Sequence, residues 1–273
     1  MKKVSDFVSL AALVIVIGYI AYNETRQSGL RGRISDEDVA AKQFAIEDGM
    51  PTENVAQLPM PAISLDVPKQ LTFAGEAVPL HIPDVYERLD KELQINTYFH
   101  SNTLFLIKRA NRWLPQIEKI LKENDIPEDF KYLPLIESNL LNDVSPKNAV
   151  GYWQILKEAG RENGLEITDD VDERYDPLKA TKAACRYLRQ SYRKFGNWTL
   201  VAASYNRGMG GIERAIENQK VDNYYDLFLN EETSRYVFRI LAIKEIVEHP
   251  LKYGFRVNPR HLYQEEPLRY VEV

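Results

Sequence analysis

Glu137 is the side chain whose sequence surroundings most clearly suggest acid–base chemistry. In IPEDFKYLPLIESNLL, residues 126–141, the helical face that carries this carboxyl also carries apolar residues: Phe130, Leu133, Pro134, Leu140 and Leu141. A carboxylate in an apolar stripe is costly unless it is paired or protonated, and a general acid for glycoside cleavage requires a protonated carboxyl. The alternative is that Glu137 lies at the edge of the stripe and pairs with a nearby arginine.

Two further segments combine polar side chains with turns. In VSPKNAVGYWQIL, residues 144–156, Gln154 stands among apolar residues, and its amide can both donate and accept, as sugar hydroxyls require. In WTLVAASYNRGMGGI, residues 198–212, a small-residue helix ends at Tyr205 and Asn206 before glycines that permit a tight turn beside a groove. Gln154 could instead face solvent, and Tyr205 could be a core aromatic.

A third candidate element is the amphipathic segment ETSRYVFRILAIKEI, residues 232–246. On this predicted helix Tyr236 could point into the same cleft as Glu137. An aromatic side chain considered alone is more often part of the core, so both interpretations of Tyr236 stay open.

The residue types needed for metal, thiol and Ser–His chemistry are missing or badly spaced. Cys185 is the only cysteine, the four histidines are scattered, and neither an HExxH pair nor a GxSxG elbow occurs. The acidic run around Asp170 fails as a calcium loop, because the fifth and sixth positions counted from it are Arg174 and Tyr175 rather than an oxygen ligand and glycine. The sequence therefore predicts neither a metal site nor a diffusible cofactor.

Predicted helices form the scaffold that must bring these side chains together. Apolar residues at helical spacing begin at Val85 and indicate a second amphipathic stretch from Leu104 to Leu121. Further helices are predicted at 127–140, 151–163, 177–195, 198–206, 211–219 and 233–248. Because strand-type alternation is nearly absent, residues 85–250 are predicted to form an all-α domain.

The N-terminus carries an uncharged apolar run, FVSLAALVIVIGYIAY at residues 7–22, behind Lys2 and Lys3. At about 1.5 Å per residue a helix of this length spans roughly 24 Å, slightly less than the hydrocarbon core of a bilayer. No small-residue cleavage site follows, which favours an uncleaved transmembrane anchor in residues 1–23 over a cleaved signal peptide. Both alternatives send the rest of the chain to a membrane and across it.

Two segments are predicted to flank the helical domain. Residues 24–84 form a proline-rich, acidic and extended linker, in which the cluster Asp36–Asp38 precedes prolines at 51, 59, 61, 68, 79 and 83. Residues 251–273 form an extended C-terminal tail, in which Phe255 and Val257 could pair as a strand.

Composition excludes several classes of protein. Hydrophobic residues make up 44% of the 273 residues, which excludes a disordered chain and fits one or two globular domains. The 35 Lys and Arg residues against 40 Asp and Glu give a net charge of −5, without a long basic run. Such a chain is a poor candidate for nucleic-acid binding.

Taken in order along the chain, these segments resemble the SLT-type lytic murein transglycosylases, a family similar to goose-type lysozyme, and within it the membrane-bound lytic murein transglycosylase D group. The matching motifs are Ile136-Glu137-Ser138, Ser145-Pro146, Gly151-Tyr152-Trp153-Gln154, Asp172-Glu173-Arg174-Tyr175-Asp176-Pro177, Ala180-Thr181, Ala183-Ala184, Tyr187-Leu188, Phe195-Gly196-Asn197-Trp198, Tyr205-Asn206-Arg207-Gly208, and Glu232-Thr233 through Tyr236-Val237. The likeness covers residues 110–250. It departs at Tyr152, where the family usually has leucine, at Ser204, where it usually has alanine, and in the loop after Glu137, which lacks the common Asn-Pro.

The resemblance implies a lysozyme-like helical domain with a glycan-binding cleft and one catalytic residue, Glu137. This carboxyl would protonate the glycosidic oxygen between N-acetylmuramic acid and N-acetylglucosamine, while the substrate's own 2-acetamido group stabilises the oxocarbenium-like centre. The resulting carboxylate would take the proton of the C6 hydroxyl and close a 1,6-anhydro ring without water. The expected role is cell-wall turnover or remodelling.

The resemblance also implies which residues bind the substrate and where the enzyme works. The substrate-binding positions are Ser138, Ser145, Gln154, Tyr205, Asn206 and Tyr236. Peptidoglycan glycan strands are the implied partner, and neither a metal, a cofactor nor nucleic acid is implied. Murein lies outside the cytoplasmic membrane, so the domain is expected in the periplasm, held at the inner membrane by residues 7–22 or released after signal cleavage.

Two rival functions stay open on the sequence. One is a lysozyme-type hydrolase of the same fold, in which water attacks in place of the C6 hydroxyl. The other is a non-catalytic, membrane-tethered murein-binding protein. The apolar helical setting of Glu137 argues against the second, because a binding protein needs no proton donor there.

Overall fold

The computed structural model describes residues 64–265, a predominantly helical region with a small β-hairpin near its start. The strands β1 (Thr72–Phe73) and β2 (Glu76–Ala77) pair antiparallel. The α-helices are α1 (Pro83–Tyr98), α2 (His100–Glu123), α3 (Leu133–Ser138), α4 (Lys157–Glu162), α5 (Pro177–Phe195), α6 (Trp198–Arg207), α7 (Met209–Gln219) and α8 (Glu231–Glu248). Short 3₁₀ helices lie at Glu128–Tyr132, Glu173–Tyr175, Tyr224–Asp226, Pro250–Tyr253 and Pro259–His261. The predicted helical character is confirmed for these residues.

Helix α8 contributes the most deeply buried helical segment of the core. Its middle turns are buried on nearly every side. Helix α1 packs along it, where the Arg88 guanidinium lies 4.5 Å from the ring centre of Phe238. One turn further along α1, the buried Glu92 carboxylate pairs with Arg235 at 2.6 Å. Tyr236 therefore projects from a helix whose position is fixed by packing and by an ion pair.

Capping residues that are recognisable in the sequence mark both ends of α5 and the start of α6. Asp176 caps α5 by accepting from two backbone N–H groups of its first turn at 2.9 and 3.0 Å. Gly196 ends α5 in the left-handed conformation at φ 63°. Asn197 then caps α6 by accepting from an N–H of its first turn at 2.8 Å. The predicted helix 177–195 is confirmed, and the predicted helix 198–206 is extended by one residue.

The hairpin shows that the expected linker, residues 24–84, ends earlier than predicted. Phe73 is fully buried, and its ring centre lies 5.2 Å from that of Phe130. The Asp129 carboxylate accepts from the N–H of Ala74 in the turn of the hairpin at 2.7 Å. These contacts attach the hairpin to the core. Strands of two residues are too short to produce a recognisable alternation, which is why the sequence pattern does not reveal them.

Glu76 in β2 fastens the hairpin to the first turn of α6. Its carboxylate accepts from the N–H of Trp198 at 2.6 Å, from the N–H of Thr199 at 2.9 Å and from the Thr199 hydroxyl at 2.6 Å. A carboxylate in this place satisfies N–H groups that have no partner within the helix and interacts favourably with the helix dipole. The hairpin thus helps to position α6, the helix that carries Tyr205 and Asn206.

We expect the substitution Glu76→Ala to lower the free energy of unfolding by about 1–2 kcal/mol, because it leaves the N-terminal donors of α6 without an acceptor. Urea unfolding followed by circular dichroism measures this loss. Glu76→Gln, which keeps one acceptor oxygen, should lose less. An unchanged unfolding midpoint in the alanine variant would show that the cap contributes nothing.

The segment around Glu137 differs from the single helix predicted at 127–140. It consists of a 3₁₀ helix, Glu128–Tyr132, followed by the short helix α3, since Pro134 lacks the N–H that would continue a helix from the preceding turn. Asn139 and Leu140 then adopt left-handed conformations, at φ 53° and 56°. The expectation that Leu140 and Leu141 share the helical face of Glu137 is therefore wrong, because both lie beyond the end of α3.

The segment 151–163 also differs from the predicted helix. Residues 151–154 form a turn, and only Lys157–Glu162, the helix α4, is helical. Gly151 has φ +78°, and a Cβ atom there would lie 2.1 Å from the Arg174 carbonyl oxygen. The turn is therefore specified by a close approach of two backbone segments, which periodicity along one segment does not report.

The described part of the predicted tail, 251–265, packs on the domain rather than extending from it. Tyr253 and Phe255 are only 3% and 5% exposed. Of the two alternatives for Phe255 and Val257, pairing as a strand or lying extended, strand pairing is not observed in residues 251–265. The N–H of Phe255 instead donates to the Pro250 carbonyl at 2.8 Å and closes a turn.

Within residues 64–265 no helix combines the length and the apolar character needed to cross a membrane. The predicted anchor, residues 7–22, and most of the predicted linker lie outside the described residues.

Candidate active site

The Glu137 carboxyl lies on α3 and is partly buried. Its Oε1 atom accepts a hydrogen bond from the Tyr236 hydroxyl. Burial raises the pKa of Glu137, while the hydrogen bond from Tyr236 and the positive charge of Arg239 act in the opposite direction, and the charge of Glu232 raises it further. The site thus combines surroundings that favour the protonated carboxyl with groups that stabilise the carboxylate.

The short helix α3 is held at both sides of Glu137. Arg239 on α8 donates from Nη2 to the Ile136 carbonyl at 2.7 Å. The Ser138 hydroxyl, which is buried, lies 2.9 Å from the Tyr152 carbonyl and 3.2 Å from the Pro134 carbonyl. Ser138 therefore supports the site by joining α3 to the 151–154 turn.

The sequence left open whether Glu137 pairs with an arginine. Among the described residues no ion pair includes Glu137, and the arginine that influences its pKa, Arg239, directs its hydrogen bond to a backbone carbonyl. The ion pair with an arginine that the sequence left open is therefore not observed within residues 64–265.

Tyr236 is both a core residue and a site residue. Its side chain is buried in α8, and its hydroxyl donates to the Glu137 carboxylate. Burial, followed by the charge of Glu137, raises the pKa of Tyr236 well above its ordinary value, so the phenol stays protonated and remains a donor.

Tyr205 and Asn206, at the end of α6, lie on the side of the site formed by the 151–154 turn and the start of α8. The Tyr205 hydroxyl donates to the Trp153 carbonyl at 2.8 Å. The Asn206 amide donates to Glu232 at 3.0 Å and accepts from the Thr233 hydroxyl at 2.8 Å. These bonds fix both side chains in one orientation.

Gln154 occupies the last position of the 151–154 turn with a positive φ of 47°. Its Nε2 atom donates to the carbonyls of Gly151 and Asp143 at 2.9 and 3.0 Å. Within the described part of the chain no donor reaches its Oε1 atom, so this acceptor is available to a ligand. Gln154 lines a pocket of about 300 Å³ together with Tyr205 and Asn206.

Within residues 64–265 the Ser145 side chain forms no hydrogen bond with Glu137 or with any other predicted site residue. Its hydroxyl oxygen accepts from the N–H of Ala149 at 3.0 Å. The serine thereby shapes the turn that leads into the 151–154 segment.

Sequence reasoning missed the residues that build the walls of the site. Arg174, which is buried, donates to the carbonyls of Asn148 and Ile155 at 3.0 and 3.1 Å and pairs with Asp172 at 2.7 Å. The side-chain hydrogen bond from Arg174 to Asp172 lowers the pKa of the Asp172 carboxyl. The sequence feature that could have indicated this role is the position of Arg174 among the acidic residues 169–176. Across residues 64–265 no group of three or more acidic, histidine or cysteine side chains is arranged to hold a metal ion.

Comparison with known proteins identifies related sequences and one related structure. Residues 115–228 match the family model described as the transglycosylase SLT domain. Membrane-bound lytic murein transglycosylase D of Escherichia coli K12 is 32% identical over 194 residues, which are 68% of this chain and 42% of that protein. The corresponding protein of E. coli O6:H1 matches equally well. This chain therefore spans less than half the length of those relatives.

Two weaker similarities accompany these matches. A putative tributyltin chloride resistance protein of Alteromonas sp. M-1 is 31% identical over 114 residues, 41% of this chain and 55% of that protein. The crystal structure of the 70 kDa soluble lytic transglycosylase of E. coli matches with a TM-score of 0.46 and 16% identity, over 86% of this chain and 46% of that one.

Proposed function

Because this chain belongs, through its residues 115–228, to the family of transglycosylase SLT domains, we propose that it is a lytic transglycosylase of peptidoglycan. The proposed reaction cleaves the β-1,4 bond between N-acetylmuramic acid and N-acetylglucosamine without water and yields 1,6-anhydro-muropeptides. The observation that carries the proposal is the Glu137 carboxyl, whose pKa is raised by burial and whose Oε1 accepts from Tyr236.

In the first step Glu137, protonated, gives its proton to the glycosidic oxygen. The bond between this oxygen and C1 of N-acetylmuramic acid breaks, and the oxygen of the 2-acetamido group stabilises the positive charge that develops at C1. The substrate thus supplies the stabilisation for which many glycosidases use a second carboxylate. Partial burial of Glu137 supports this step, because it favours the protonated form at the start.

In the second step the Glu137 carboxylate takes the proton of the C6 hydroxyl, and O6 bonds to C1 to close the anhydro ring. Tyr236 and Arg239 stabilise the carboxylate between the two steps, the first through its hydrogen bond and the second through its charge. The proton returns to Glu137, so the enzyme ends in its starting state and no oxidant or metal takes part.

The polar groups of the adjoining pocket are proposed to position the sugars. The Oε1 atom of Gln154 is available to accept from a sugar hydroxyl or an acetamido N–H. Asn206 and Tyr205, held by hydrogen bonds to α8 and to the 151–154 turn, present fixed polar surfaces beside it. Ser138 and Ser145 are proposed to act by supporting the backbone around the site.

A lysozyme-type hydrolase is the alternative, and one observation favours it. Glu232 is a second carboxylate near enough to influence the pKa of Glu137, and it could act as the base that activates a water molecule. Glu232 is exposed, and its carboxylate accepts a hydrogen bond from the Asn206 amide. In a hydrolase, Glu232→Gln would remove the base.

Digestion of purified murein, followed by mass spectrometry of the products, tests the proposal against this alternative. A lytic transglycosylase releases anhydro-muropeptides, whereas a hydrolase releases reducing-end products heavier by one water molecule. Products with reducing ends, lost again in Glu232→Gln, would establish the hydrolase. Absence of any cleaved product would reject both.

We also expect the activity to need no metal ion, because the proposed steps use only carboxyl, phenol and substrate groups. Dialysis against EDTA should leave the rate of product release within about a factor of two of the untreated enzyme. A loss that is restored by one divalent ion would contradict this prediction.

The site of action is proposed to be the periplasm, with residues 7–22 anchoring the chain in the inner membrane. The uncharged run in those residues supports this proposal, as does the similarity to the membrane-bound lytic murein transglycosylase D of E. coli. Fractionation of cells that make the full chain tests it. Recovery of the protein in the soluble periplasmic fraction would indicate cleavage of the N-terminal segment.

A further inference from the structure

Arg109 lies on α2, next to the loop that follows Glu137, and is partly buried. Its Nε atom donates to the Asn139 carbonyl at 2.6 Å. Among residues 64–265 no carboxylate forms an ion pair with Arg109, although the charge of Asp143 acts on it from a greater distance. Burial accordingly lowers the pKa of Arg109. A partly buried guanidinium without a carboxylate partner is costly, unless an anion binds there during function.

Tyr152 faces the same place with an unpartnered hydroxyl. Its side chain is 9% exposed, and within the described residues its hydroxyl makes no hydrogen bond. The charges of Arg112 and Arg109 act on this phenol and oppose the rise of its pKa caused by burial. The ring is buried, but the hydroxyl oxygen is not among the described buried polar atoms that lack a partner, so it reaches the surface beside the two guanidinium groups and is open to a ligand.

The second guanidinium is held in place by the C-terminal segment. Arg112 donates from Nε to the Gln264 carbonyl at 2.9 Å and lies 5.4 Å from the ring centre of Tyr263. The Nζ atom of Lys108, also on α2, lies 4.7 Å from the centre of the same ring. These contacts order the cationic face of α2 before any ligand arrives.

This group of side chains is tied to the residues on either side of Glu137. Arg109 donates to the carbonyl of Asn139, which is two residues after Glu137. The Tyr152 carbonyl accepts from the hydroxyl of Ser138, which directly follows Glu137. A ligand bound by Arg109 and Tyr152 would therefore lie beside the glycosidic bond that Glu137 is proposed to cleave.

We propose that Arg109, Arg112 and Tyr152 form an anion subsite that binds a carboxylate of the peptide stem of peptidoglycan. The inference rests on the proposed function. N-acetylated sugars with an amide-linked lactyl group carry no negative charge, whereas the peptide attached to that group carries free carboxylates. The planar fork of a guanidinium fits a carboxylate, and the phenol supplies a further donor. Tyr152 stands where leucine is usual in the family, so this chain would have gained one donor for the stem.

The test compares two substrates that differ only in charge: glycan strands with free stem carboxylates, and the same strands after these are converted to amides. The wild type should prefer the first, measured as the ratio of the two kcat/KM values. Arg109→Gln should lower that ratio about tenfold, which corresponds to the loss of a charge-assisted hydrogen bond. Tyr152→Phe should lower this ratio about threefold, since the donor that is lost is neutral, whereas the guanidinium of Arg109 is charged.

Lys119→Gln is the matched control, because it removes one positive charge from an exposed position of the same helix, about 15 Å along its axis. Its ratio should equal that of the wild type. Thermal unfolding monitors each variant, and Tyr152→Phe tests the subsite independently if Arg109→Gln does not fold.

Binding separates failure of the subsite from failure of the proposed function. In the Glu137→Gln variant, adding Arg109→Gln should raise the Kd for carboxylate-bearing strands about tenfold. The Kd values for carboxylate-bearing and amidated strands should then be closer to each other. If the wild type cleaves neither substrate, the proposed function fails, and this measurement still decides the subsite. The subsite would be overturned if Arg109→Gln lowered kcat/KM equally on both substrates, or if it left the Kd for carboxylate-bearing strands unchanged. Arg109 would then only hold the loop at Asn139.

Discussion

Glu137→Gln should release anhydro-muropeptides at a rate about 10²–10⁴-fold below that of the wild type. Glutamine has almost the same shape as glutamate but carries no transferable proton, and in the proposed mechanism one carboxyl serves as acid in the first step and as base in the second. The measurement is the initial rate of product release from purified murein, read by mass spectrometry. More than about a tenth of wild-type activity would contradict the assignment of Glu137 as the catalytic residue.

The same variant should be at least as stable as the wild type near neutral pH. The pKa of Glu137 is raised in the folded protein, so the native state binds this proton more tightly than the unfolded state. Stability from this group is present at low pH and is lost as the pH rises through the folded pKa. Glutamine is neutral and avoids that loss. A lower thermal midpoint would show that activity was lost through unfolding rather than through the missing proton.

Tyr236→Phe should reduce kcat about 10–100-fold and move the high-pH limb of the activity profile to higher pH. The Tyr236 hydrogen bond favours the Glu137 carboxylate and so lowers its pKa. Without it the pKa of Glu137 rises further, so the protonated acid persists to higher pH while the carboxylate needed in the second step loses its donor. The pH dependence of kcat/KM measures the shift.

Tyr224→Phe is the matched control for this variant. Tyr224 is a buried phenol packed against α8, and its hydroxyl donates to the carbonyls of Thr233 and Ser234 rather than to Glu137. Its removal should lower stability without moving the pH profile. If both variants shift the profile equally, the effect of Tyr236 arises from general loosening of α8 and not from its bond to Glu137.

Several parts of the fold could be predicted because their causes are local. Asp176, Gly196 and Asn197 act on the helix ends next to them, so the limits of α5 and α6 follow from a few neighbouring residues. The candidate role of Glu137 also follows from local spacing, since Leu133 and Pro134 lie in the same helix, α3, even though this helix is shorter than predicted.

Other features arise between segments that are far apart in the chain, and no pattern within one segment could reveal them. Glu76 caps α6 from a hairpin that the proline content had assigned to a linker. The 151–154 turn depends on the carbonyl of Arg174, which leaves no room for a Cβ atom at Gly151.

The sequence by itself determined the helical character of the domain, the choice of Glu137 as the candidate acid and the ordered motifs that carry the family resemblance. Only the tertiary structure decided that the phenol of Tyr236 contacts this carboxyl and that Arg109 lies beside the hydroxyl of Tyr152. The physical reason is that helix propensity and capping depend on neighbours in the chain. Burial, pKa and hydrogen-bond partners instead depend on which segments meet when the core closes.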